Sequence, residues 1–421
     1  METLAIIGTG ISGMSAGYFL RDKYDITFYE KEDYVGGHTC TLGIVEEGQE
    51  IFIDSAFMVY NEPTYPLLTR LFKELNIVTK PTSMSFSVQH LPSGLEYCGT
   101  GLNGLFAQRK NIFNRSHVKM LLEIDRFRKE AEEVLDNPSF TYWTLAQYIR
   151  AKGYSEDFLQ KFLIPMSSAV WSTPADTMLE FPAQTLVRFF KNHRFLSLDG
   201  QLAWRTCVGG SRQYRNKIMA LFTNRVWTTR AVTKIRREAG KVCVTDSMGK
   251  VLVYDKAIIA CHADDALNLL ADPTSLESSL LSKFPYLNNK TTLHTDRRVM
   301  PNLKKVWSSW NNRIENNTDG KSVTSTIYWM NSLQGISKKR DYFISINDPG
   351  IIDPAKILWE KIYTHPLFSV EAQTAQAHLP KLNQNGTTFF AGSYFRFGFH
   401  EDGLMSGLDA ARALAGHEVW A

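Results

Sequence analysis

The sequence predicts an α/β fold in which a Rossmann-like nucleotide-binding domain is interleaved with an α+β domain. An apolar run at residues 4–7 leads into a glycine-rich turn at residues 8–13, and a segment with helical periodicity follows. A second strand-like run, residues 25–29, ends at Glu30. Buried-strand patterns return at residues 257–261 and 387–392. The nucleotide-binding part is therefore expected to be assembled from distant pieces of the chain.

The turn at residues 8–13 reads Gly-Thr-Gly-Ile-Ser-Gly, which fits the G-x-G-x-x-G pattern of dinucleotide-binding folds. Gly8 allows a sharp turn, Gly10 allows the backbone to approach a diphosphate, and Gly13 allows helix and strand to pack closely. Glu30 stands where a carboxylate would accept hydrogen bonds from ribose hydroxyls and repel a 2′-phosphate, so NADP is disfavoured. The strand–turn–helix–strand context makes a glycine turn without a ligand the weaker interpretation.

The residues after Glu30 help to separate NAD from FAD, which the glycine pattern alone does not. The stretch 35–39 reads Val-Gly-Gly-His-Thr. A second glycine pair at this place suits a loop that passes back over the diphosphate, as flavin proteins often have. We therefore favour FAD over NAD as the cofactor.

Composition excludes several classes of protein. The formal net charge of +4 permits contact with an anionic membrane surface but is too small to indicate nucleic-acid binding. The five cysteines are scattered and form no C-x-x-C, so neither a disulfide framework nor a zinc site is expected. The first strand begins at residue 4, and no apolar run is long enough to span a membrane. We expect a cytoplasmic protein that could touch the inner face of a membrane from one side.

Further elements follow from hydrophobic periodicity and capping signals. Residues 112–200 are mostly helical and interrupt the α/β pattern. In chain order we predict a hairpin at 41–45 and 50–54, a helix at 64–75, a capping box at 144–147, a segment from Ser155 to near Pro165, a strand at 226–234 that contains Val232, a meander at 241–245 and 251–254, strands at 291–294, 322–329 and 342–346, and a final helix after residue 403. We therefore assign residues 1–80, 205–275 and 385–421 to the nucleotide-binding domain, and residues 81–204 and 276–384 to a substrate domain.

This three-part order resembles the flavin-containing amine oxidase superfamily of FAD oxidoreductases over nearly the whole chain. The matching pieces are the glycine turn with Glu30, the pair Gly36 and Gly37, the stretch 209–211, Val232, Ala260, and the closing stretches 391–392 and 401–407. In that superfamily the closing helix directs its N-terminus at the N1/C2=O edge of the flavin, where negative charge develops on reduction. The resemblance implies an FAD site formed by Gly8, Gly10, Ile11, Ser12, Gly13, Glu30, Lys31, Gly36, Gly37, His38, Thr39, Ala56, Phe57, Met58, Val232, Ala260, Gly392, Glu401, Asp402, Gly403 and Leu404. Ser393 and Tyr394, rather than a cysteine, follow Gly392, so the FAD is expected to be non-covalent.

A closer resemblance is to bacterial predicted NAD/FAD-binding proteins associated with cyclopropane-fatty-acid synthases, and to the N-terminal flavin domain of the plant synthases. It implies a link to cyclopropane or methyl-branched fatty-acid metabolism. The stretches that carry it are 60–66, 84–88, 171–174, 204–206, 328–331 and 398–403. Two departures from amine oxidases argue against amine oxidation itself. His38 stands where they usually have arginine, and His294 aligns with the lysine that many of them use to hold water near flavin N5.

Three residues are candidates for catalysis. His294 is a candidate base or water anchor near flavin N5, and a structural histidine on a strand is the alternative. His400 lies beside the flavin-edge helix, where it is either a proton shuttle or a loop-packing residue. Tyr60 is the third candidate catalytic residue. Asp402 is better interpreted as a helix N-cap than as a catalytic acid, and the spacing of residues 400–402 predicts no metal site.

Aromatic residues in the predicted substrate segments are candidates for an apolar tunnel, although aromatic side chains are more often core than substrate site. These candidates are Trp171, Trp310, Tyr328, Trp329 and Tyr394. Basic runs at 188–191 and 338–340 are either docking points for anionic lipid headgroups or simply solvated surface.

Three functions remain open from the sequence. The leading hypothesis is an FAD-dependent oxidoreductase that transfers hydride to flavin N5 from a fatty-acyl chain, either plain or carrying a cyclopropane or methyl branch. Desaturation, oxidation and redox-neutral isomerisation are all compatible with it. The alternatives are an amine oxidase acting on a small amine or polyamine, and a non-catalytic flavoprotein that assists a partner such as a lipid methyltransferase.

Overall fold

Strands from three distant parts of the chain meet in one parallel sheet. The computed structural model describes residues 1–196, 202–317, 320, 322–384 and 386–420. Within these residues the strands are β1 (Glu2–Ile7), β2 (Tyr24–Tyr29), β3 (Thr41–Glu46), β4 (Gln49–Asp54), β5 (Tyr60–Asn61), β6 (Thr79–Thr82), β7 (Phe86–His90), β8 (Leu95–Cys98), β9 (Trp204–Cys207), β10 (Val226–Trp227), β11 (Val232–Glu238), β12 (Lys241–Asp246), β13 (Val251–Tyr254), β14 (Lys256–Ile259), β15 (Tyr286–His294), β16 (Trp310–Asn316), β17 (Ser322–Trp329), β18 (Phe343–Ile346), β19 (Ile357–Pro366) and β20 (Thr388–Phe390). The parallel sheet has the order β10-β2-β1-β14-β20.

The helices cover this sheet and a second one. Within the same residues they are α1 (Ile11–Leu20), α2 (Pro66–Glu74), α3 (Gly101–Leu105), α4 (Arg115–Glu130), α5 (Glu133–Asp136), α6 (Leu145–Ala151), α7 (Glu156–Phe158), α8 (Ile164–Trp171), α9 (Ala175–Leu179), α10 (Ala183–Asn192), α11 (Arg212–Met219), α12 (Ala263–Leu269), α13 (Ser275–Leu281), α14 (Met330–Gln334), α15 (Val370–Gln376) and α16 (His400–Ala415). No helix in the described part of the chain is both long and apolar enough to cross a bilayer.

The parallel sheet is the centre of the nucleotide-binding part. Its middle strands are fully buried at residues such as Leu4, Ile6 and Ile258, because helices cover both faces of such a sheet. Helix α1 is buried on all sides, since it lies between the sheet and α16. Glycine makes this packing close: a Cβ atom at Gly407 would lie 2.3 Å from the backbone oxygen of Ser12.

A larger sheet, with the order β19-β15-β18-β17-β16-β7-β8, faces the nucleotide-binding part. Its neighbouring strands are antiparallel except for β7 and β16, which run parallel. Strands β12 and β13 pair as the predicted antiparallel meander, which β11 extends to three strands, and β3 pairs with β4 in the predicted hairpin. The α/β class and the interleaved substrate part are confirmed.

Three predicted elements differ most from the structure. The final helix, predicted to begin after residue 403, begins at His400. The strand predicted at 226–234 is two strands, because Thr229 has a left-handed backbone with a φ of +53° and ends the first of them. The segment predicted to end near Pro165 continues as α8 to Trp171. A π-helical turn at Leu159–Leu163 precedes α8 and leaves Pro165 in its first turn, where a missing N–H is tolerated.

Candidate active-site cleft

A cleft of about 390 Å³ begins at the carboxyl ends of the parallel strands and extends to the large sheet. Such an edge is the usual ligand site of an open α/β sheet. We call its first part the nucleotide arm, lined by Gly8 to Ser12, Glu30, Lys31, Gly37, His38, Ala260 to His262 and Asp265. We call its second part the apolar arm, lined by Met84, Val170, Trp171, Phe189, His193, Phe195, Trp204, Trp310, Tyr328, Leu333 and Phe368.

The first glycine turn leaves space where a diphosphate would lie. A Cβ atom at Gly13 would lie 2.0 Å from the backbone oxygen of Gly8, so this glycine allows helix and strand to touch. Around Gly10, by contrast, a Cβ atom would meet nothing within 4 Å. The second glycine pair folds over the first turn, since a Cβ at Gly37 would lie 3.3 Å from the Cα of Gly10. Both glycine stretches therefore form one cradle.

Glu30 is held in place at the end of β2. One carboxylate oxygen accepts hydrogen bonds from the backbone N–H of Thr9 (3.0 Å) and from its hydroxyl. The other accepts from the backbone N–H of Glu32 (3.0 Å). The Thr9 hydroxyl also accepts from the backbone N–H of Gly36 (3.1 Å), which ties the two glycine stretches together. A carboxylate has about four acceptor positions, so Glu30 keeps capacity for a ribose diol.

His38 lies against the nucleotide arm with a buried nitrogen that no described residue satisfies. Its Nε2 lacks a hydrogen-bond partner, and its ring packs on Tyr363 and His365. Burial, reinforced by the neighbouring His365 and His262, lowers the pKa of His38 well below 6.5, so its ring is neutral at pH 7. A buried polar atom without a partner is costly, and a bound cofactor oxygen would satisfy it. The cradle, Glu30 and His38 together fit a dinucleotide.

The amino end of α16 also faces the cleft, through Gly398, Phe399 and His400. The His400 ring stacks on Phe57, with 3.8 Å between ring centroids. Its Nε2 lies within hydrogen-bonding distance of the Tyr214 hydroxyl and 3.3 Å from the Thr39 hydroxyl. Burial lowers the pKa of His400 to about 3, so the ring is neutral. The positive end of the helix dipole therefore points at the cleft beside a neutral, fixed imidazole.

The apolar arm is built from stacked aromatic rings. Trp310 and Tyr328 are cross-strand neighbours with nearly parallel rings, 6.3 Å apart. Trp171 packs against Phe189 (4.8 Å), and its Nε1 donates a hydrogen bond to the backbone oxygen of Phe397 (3.1 Å). Among the described residues that line the cleft, the acids and bases other than histidine are Glu30, Lys31 and Asp265, and all three lie in the nucleotide arm.

Residues 11–337 match the sequence pattern of a protein family that is described as "Flavin containing amine oxidoreductase". The chain belongs to this family. It is an FAD-dependent oxidoreductase, and the cradle described above is where FAD fits. No curated protein matches the sequence.

Solved structures of flavoenzymes share the fold at low sequence identity. Putrescine oxidase bound to putrescine has a TM-score of 0.68 at 13% identity, with 99% of each chain covered. Cyclohexylamine oxidase from Brevibacterium oxydans has a TM-score of 0.67 at 16% identity, again with 99% of each chain covered. A fatty acid isomerase of P. acnes that produces CLA has a TM-score of 0.67 at 15% identity, covering 96% of this chain and 97% of that one.

Many residues predicted to bind the cofactor in this flavoprotein do line the cleft. The described lining includes Gly8, Gly10, Ile11, Ser12, Glu30, Lys31, Gly37, His38, Ala56, Phe57, Met58, Ala260 and Gly392. Gly13, Gly36 and Thr39 lie behind the lining and support it. Val232 lies outside it, at the start of β11, where it pairs with Asp246.

The four residues of the closing motif predicted to bind the cofactor lie in the first turns of α16 and make contacts within the protein. The Glu401 carboxylate accepts hydrogen bonds from the backbone N–H groups of Leu67 (2.7 Å) and Leu68 (2.9 Å), and so caps α2. Asp402 was predicted as the helix N-cap, but Phe399 stands at that position; Asp402 is the third residue of α16 and accepts from the backbone N–H of Phe399 (2.9 Å). Gly403 allows α16 to approach Ile11, and the Leu404 side chain is fully buried. All four residues lie outside the cleft lining.

The capping role of Glu401 predicts a pH-dependent stability. Burial raises the pKa of Glu401 to about 7, although the two amide bonds oppose this shift. Unfolded protein loses this proton near pH 4.5 while folded protein keeps it, so wild type loses stability as pH rises from 4.5 towards 7. Glu401→Gln does not titrate. We expect the variant to gain on the order of 3 kcal/mol relative to wild type across this range, measured by denaturant unfolding. A constant difference between the two proteins would contradict the assigned protonation.

The predicted catalytic residues His294 and Tyr60 lie outside the cleft lining. His294 is fully buried, its Nε2 lies 2.8 Å from the Ser345 hydroxyl, and its Nδ1 accepts from the backbone N–H of Asp296 (3.1 Å). The Tyr60 hydroxyl donates to Thr79 (3.3 Å). Both side chains are therefore engaged within the protein, and of the three candidates only His400 reaches the cleft. Thr291, on β15 with His294, lines it instead.

Among the predicted substrate residues, Trp171, Trp310, Tyr328 and Tyr394 line the cleft and Trp329 does not. Side chains alternate along a strand, so Trp329 faces away from Tyr328. It packs on Trp307, and its Nε1 donates to Asp341 (2.9 Å). Tyr394 is buried, with a hydroxyl that no described residue satisfies.

Several lining residues were not predicted from the sequence. They are Met84, Phe189, His193, Phe195, Trp204, Tyr363, His365 and Phe368. Phe189 and His193 lie on or just after α10, where their helical spacing is the same as that of core residues. Only the stacked contact between them, at 3.8 Å, and the position of α10 beside the cleft distinguish them from core residues.

Proposed function

We propose that this flavoprotein acts on a fatty-acyl chain, either plain or carrying a cyclopropane or methyl branch. The observation that supports this most strongly is the apolar arm, whose described lining has no carboxylate, lysine or arginine. FAD supplies a hydride acceptor when it is bound. In the oxidative form of the reaction, one carbon of the chain would give up a hydrogen with its electron pair to FAD, the neighbouring carbon would give up a proton to water through a neutral histidine of the cleft, His193 or His400, and a double bond would form.

The energetics of burial favour a hydrocarbon in this arm over an alkylammonium ion. An acyl chain gains roughly 0.8 kcal/mol for each methylene it buries. A cation in the same place would lose its hydration without a carboxylate to replace it. The histidine in the arm does not change this balance, because burial lowers the pKa of His193 to about 4 and keeps it neutral.

The roles of the residues follow from their positions. Trp171, Trp310 and Tyr328 would exclude water and orient the chain. His400, fixed by Phe57 and Tyr214, would hold the flavin end of the cleft rigid. The amino end of α16 would stabilise negative charge that develops on the bound cofactor. The metabolism of cyclopropane or methyl-branched chains, suggested by the sequence resemblance, is the context in which we propose this activity.

Amine oxidation is the second candidate, because the parallel rings of Trp310 and Tyr328 also suit a cation–π contact.

Anaerobic mixing with candidate substrates distinguishes acyl-chain chemistry from amine oxidation. The FAD-loaded protein is mixed with phospholipids carrying plain, cyclopropane or methyl-branched chains, and in parallel with putrescine and cyclohexylamine. We expect lipids to bleach the flavin absorbance near about 450 nm. Recovered lipids are analysed by mass spectrometry and chromatography, since an isomerised chain would appear without net bleaching.

Bleaching by an amine, with every lipid recovered unchanged, would contradict the proposal and support an amine oxidase. Unchanged flavin and unchanged lipids and amines throughout would contradict both, and would favour a non-catalytic partner of a lipid methyltransferase. That partner role would then be tested by co-purification.

A further inference from the structure

An exposed face outside the cleft combines apolar and basic side chains. We call it the docking face and define it as residues 101–122, which contain α3, the 3₁₀ helix Arg109–Phe113 and the first two turns of α4, together with Lys304 and Lys305. Phe113 is 88% exposed and Leu102 is 76% exposed. Ile112 and Leu122 are also exposed. Several large apolar side chains this exposed within one stretch of about twenty residues mark a candidate interaction surface.

The positive charge of the docking face is not neutralised within the protein. Its six exposed cations form no ion pair with any described residue. They are Arg109, Lys110, Arg115, Lys119, Lys304 and Lys305. Three acids in this part of the structure are already engaged: Asp157 pairs with Lys161, Glu123 accepts from Ser155, and buried Glu96 accepts from the backbone N–H groups of Asn302 and Leu303.

Two cavities open beside these cations. The first, about 420 Å³, is lined in part by Arg109, Lys110 and Leu91. The second, about 250 Å³, is lined in part by Lys110, Lys161 and His117. His117 is buried, and its Nδ1 has no hydrogen-bond partner in the described part of the chain. Its Nε2 lies 3.0 Å from the backbone oxygen of Leu105 and must donate to it, so Nδ1 is a free acceptor. Lysine or arginine side chains therefore line both cavities, beside Glu96 in the first and the ion-paired Asp157 in the second.

The docking face is fixed rigidly to the large sheet. Leu105 and Met120 pack against Val88 and Phe86 in one apolar cluster. Phe86 in turn packs on Trp310, which lines the apolar arm of the cleft. The docking face therefore belongs to the same rigid body as the apolar arm of the cleft.

We propose that the docking face binds the surface of an anionic membrane, with Phe113, Leu102 and Ile112 inserted among the headgroups and the six cations against lipid phosphates. Apolar side chains beside lysine and arginine are the combination that binds such surfaces. The basic runs noted in the sequence fit this role less well, because Lys191 pairs with Glu132 (2.7 Å) and Lys339 pairs with Glu47. The proposal does not depend on the identity of the substrate, since the docking face and the cleft share no residue.

Vesicle co-sedimentation tests the proposal on the FAD-loaded protein. The vesicles are phosphatidylcholine with or without phosphatidylglycerol. The variant Arg109→Gln/Lys110→Gln/Arg115→Gln removes three charges from the docking face, and Lys338→Gln/Lys339→Gln/Arg340→Gln removes the same charge from another exposed surface. Each basic side chain near an anionic surface contributes roughly fivefold to partitioning, so the first variant should lose about 100-fold in binding. The second variant should lose much less of its affinity for the phosphatidylglycerol vesicles.

The apolar side chains are tested separately with Leu102→Ser/Phe113→Ser. Because both residues are exposed, this variant should fold and keep its FAD spectrum. It should bind phosphatidylglycerol vesicles more weakly than wild type at both low and high salt. Salt screens the attraction between charges but does not screen the burial of apolar side chains. The proposal is overturned if wild type binds phosphatidylcholine vesicles equally well, if it does not bind phosphatidylglycerol vesicles, or if both charge variants lose the same affinity.

Discussion

Replacing Gly10 with alanine should abolish FAD binding and leave the fold intact. Gly10 has a φ of −62° and a ψ of 176°, which alanine adopts without strain, and a Cβ atom there meets nothing within 4 Å of the protein. The new methyl group would instead occupy the space that a diphosphate needs in order to reach the backbone. We expect the affinity for FAD to fall by at least about 100-fold, with the melting temperature of the apoprotein unchanged within about 2 °C.

Two other glycines make this experiment specific. Gly99 is exposed, and a Cβ there would have only the backbone oxygen of Phe86 near it, at 3.9 Å, so Gly99→Ala should keep both fold and FAD. Gly13→Ala should instead destabilise the protein, because its Cβ would lie 2.0 Å from the Gly8 oxygen. Full FAD affinity in Gly10→Ala, measured by fluorescence titration, would mean that the diphosphate lies elsewhere.

Replacing Tyr328 with leucine should slow flavin reduction by the substrate, whereas the same change at Trp329 should not. The two residues are adjacent on β17, but Tyr328 lines the apolar arm and Trp329 packs on Trp307 behind it. Tyr328→Leu removes the ring that stacks with Trp310, so the chain loses its orientation, and we expect a rate at least about tenfold lower.

Trp329→Leu is a stability control, since it removes a partly buried packing contact with Trp307 and the hydrogen bond to Asp341. It should unfold at lower denaturant concentration and, when FAD-loaded, be reduced at the wild-type rate. Equal rate losses in Tyr328→Leu and Trp329→Leu would show that the sheet, rather than the cleft lining, controls the reaction.

The sequence predicted the elements whose structure is decided locally. The unit of β1, α1 and β2 depends on an apolar run, a glycine turn and helical periodicity within thirty residues, and all of it is confirmed. The break at Thr229 was not predictable in this way. Its left-handed backbone is stabilised by a hydrogen bond from its N–H to the oxygen of Glu32 (2.7 Å), nearly two hundred residues earlier in the chain.

The glycine motifs located many of the residues that line the nucleotide arm, whereas contacts between distant parts of the chain were not predictable from the sequence. The closing motif placed Glu401 near FAD, but the groups it binds are backbone amides of Leu67 and Leu68. Strand alternation implies that only one of Tyr328 and Trp329 faces the cleft, and the sequence does not say which. For His294 on β15, too, the sequence does not say whether the side chain faces the cleft. In each case the missing information was which face of an element the tertiary structure covers.

The most direct test of the central claim is a crystal structure of the FAD complex soaked with a long-chain fatty acid such as oleate. We expect the diphosphate over Gly10, the ribose at Glu30, the flavin beside Phe57 and His400, and the acyl chain against Trp310 and Tyr328 in the apolar arm. A flavin in this position with the chain bound outside the apolar arm, or with the arm filled only by water, would contradict the account.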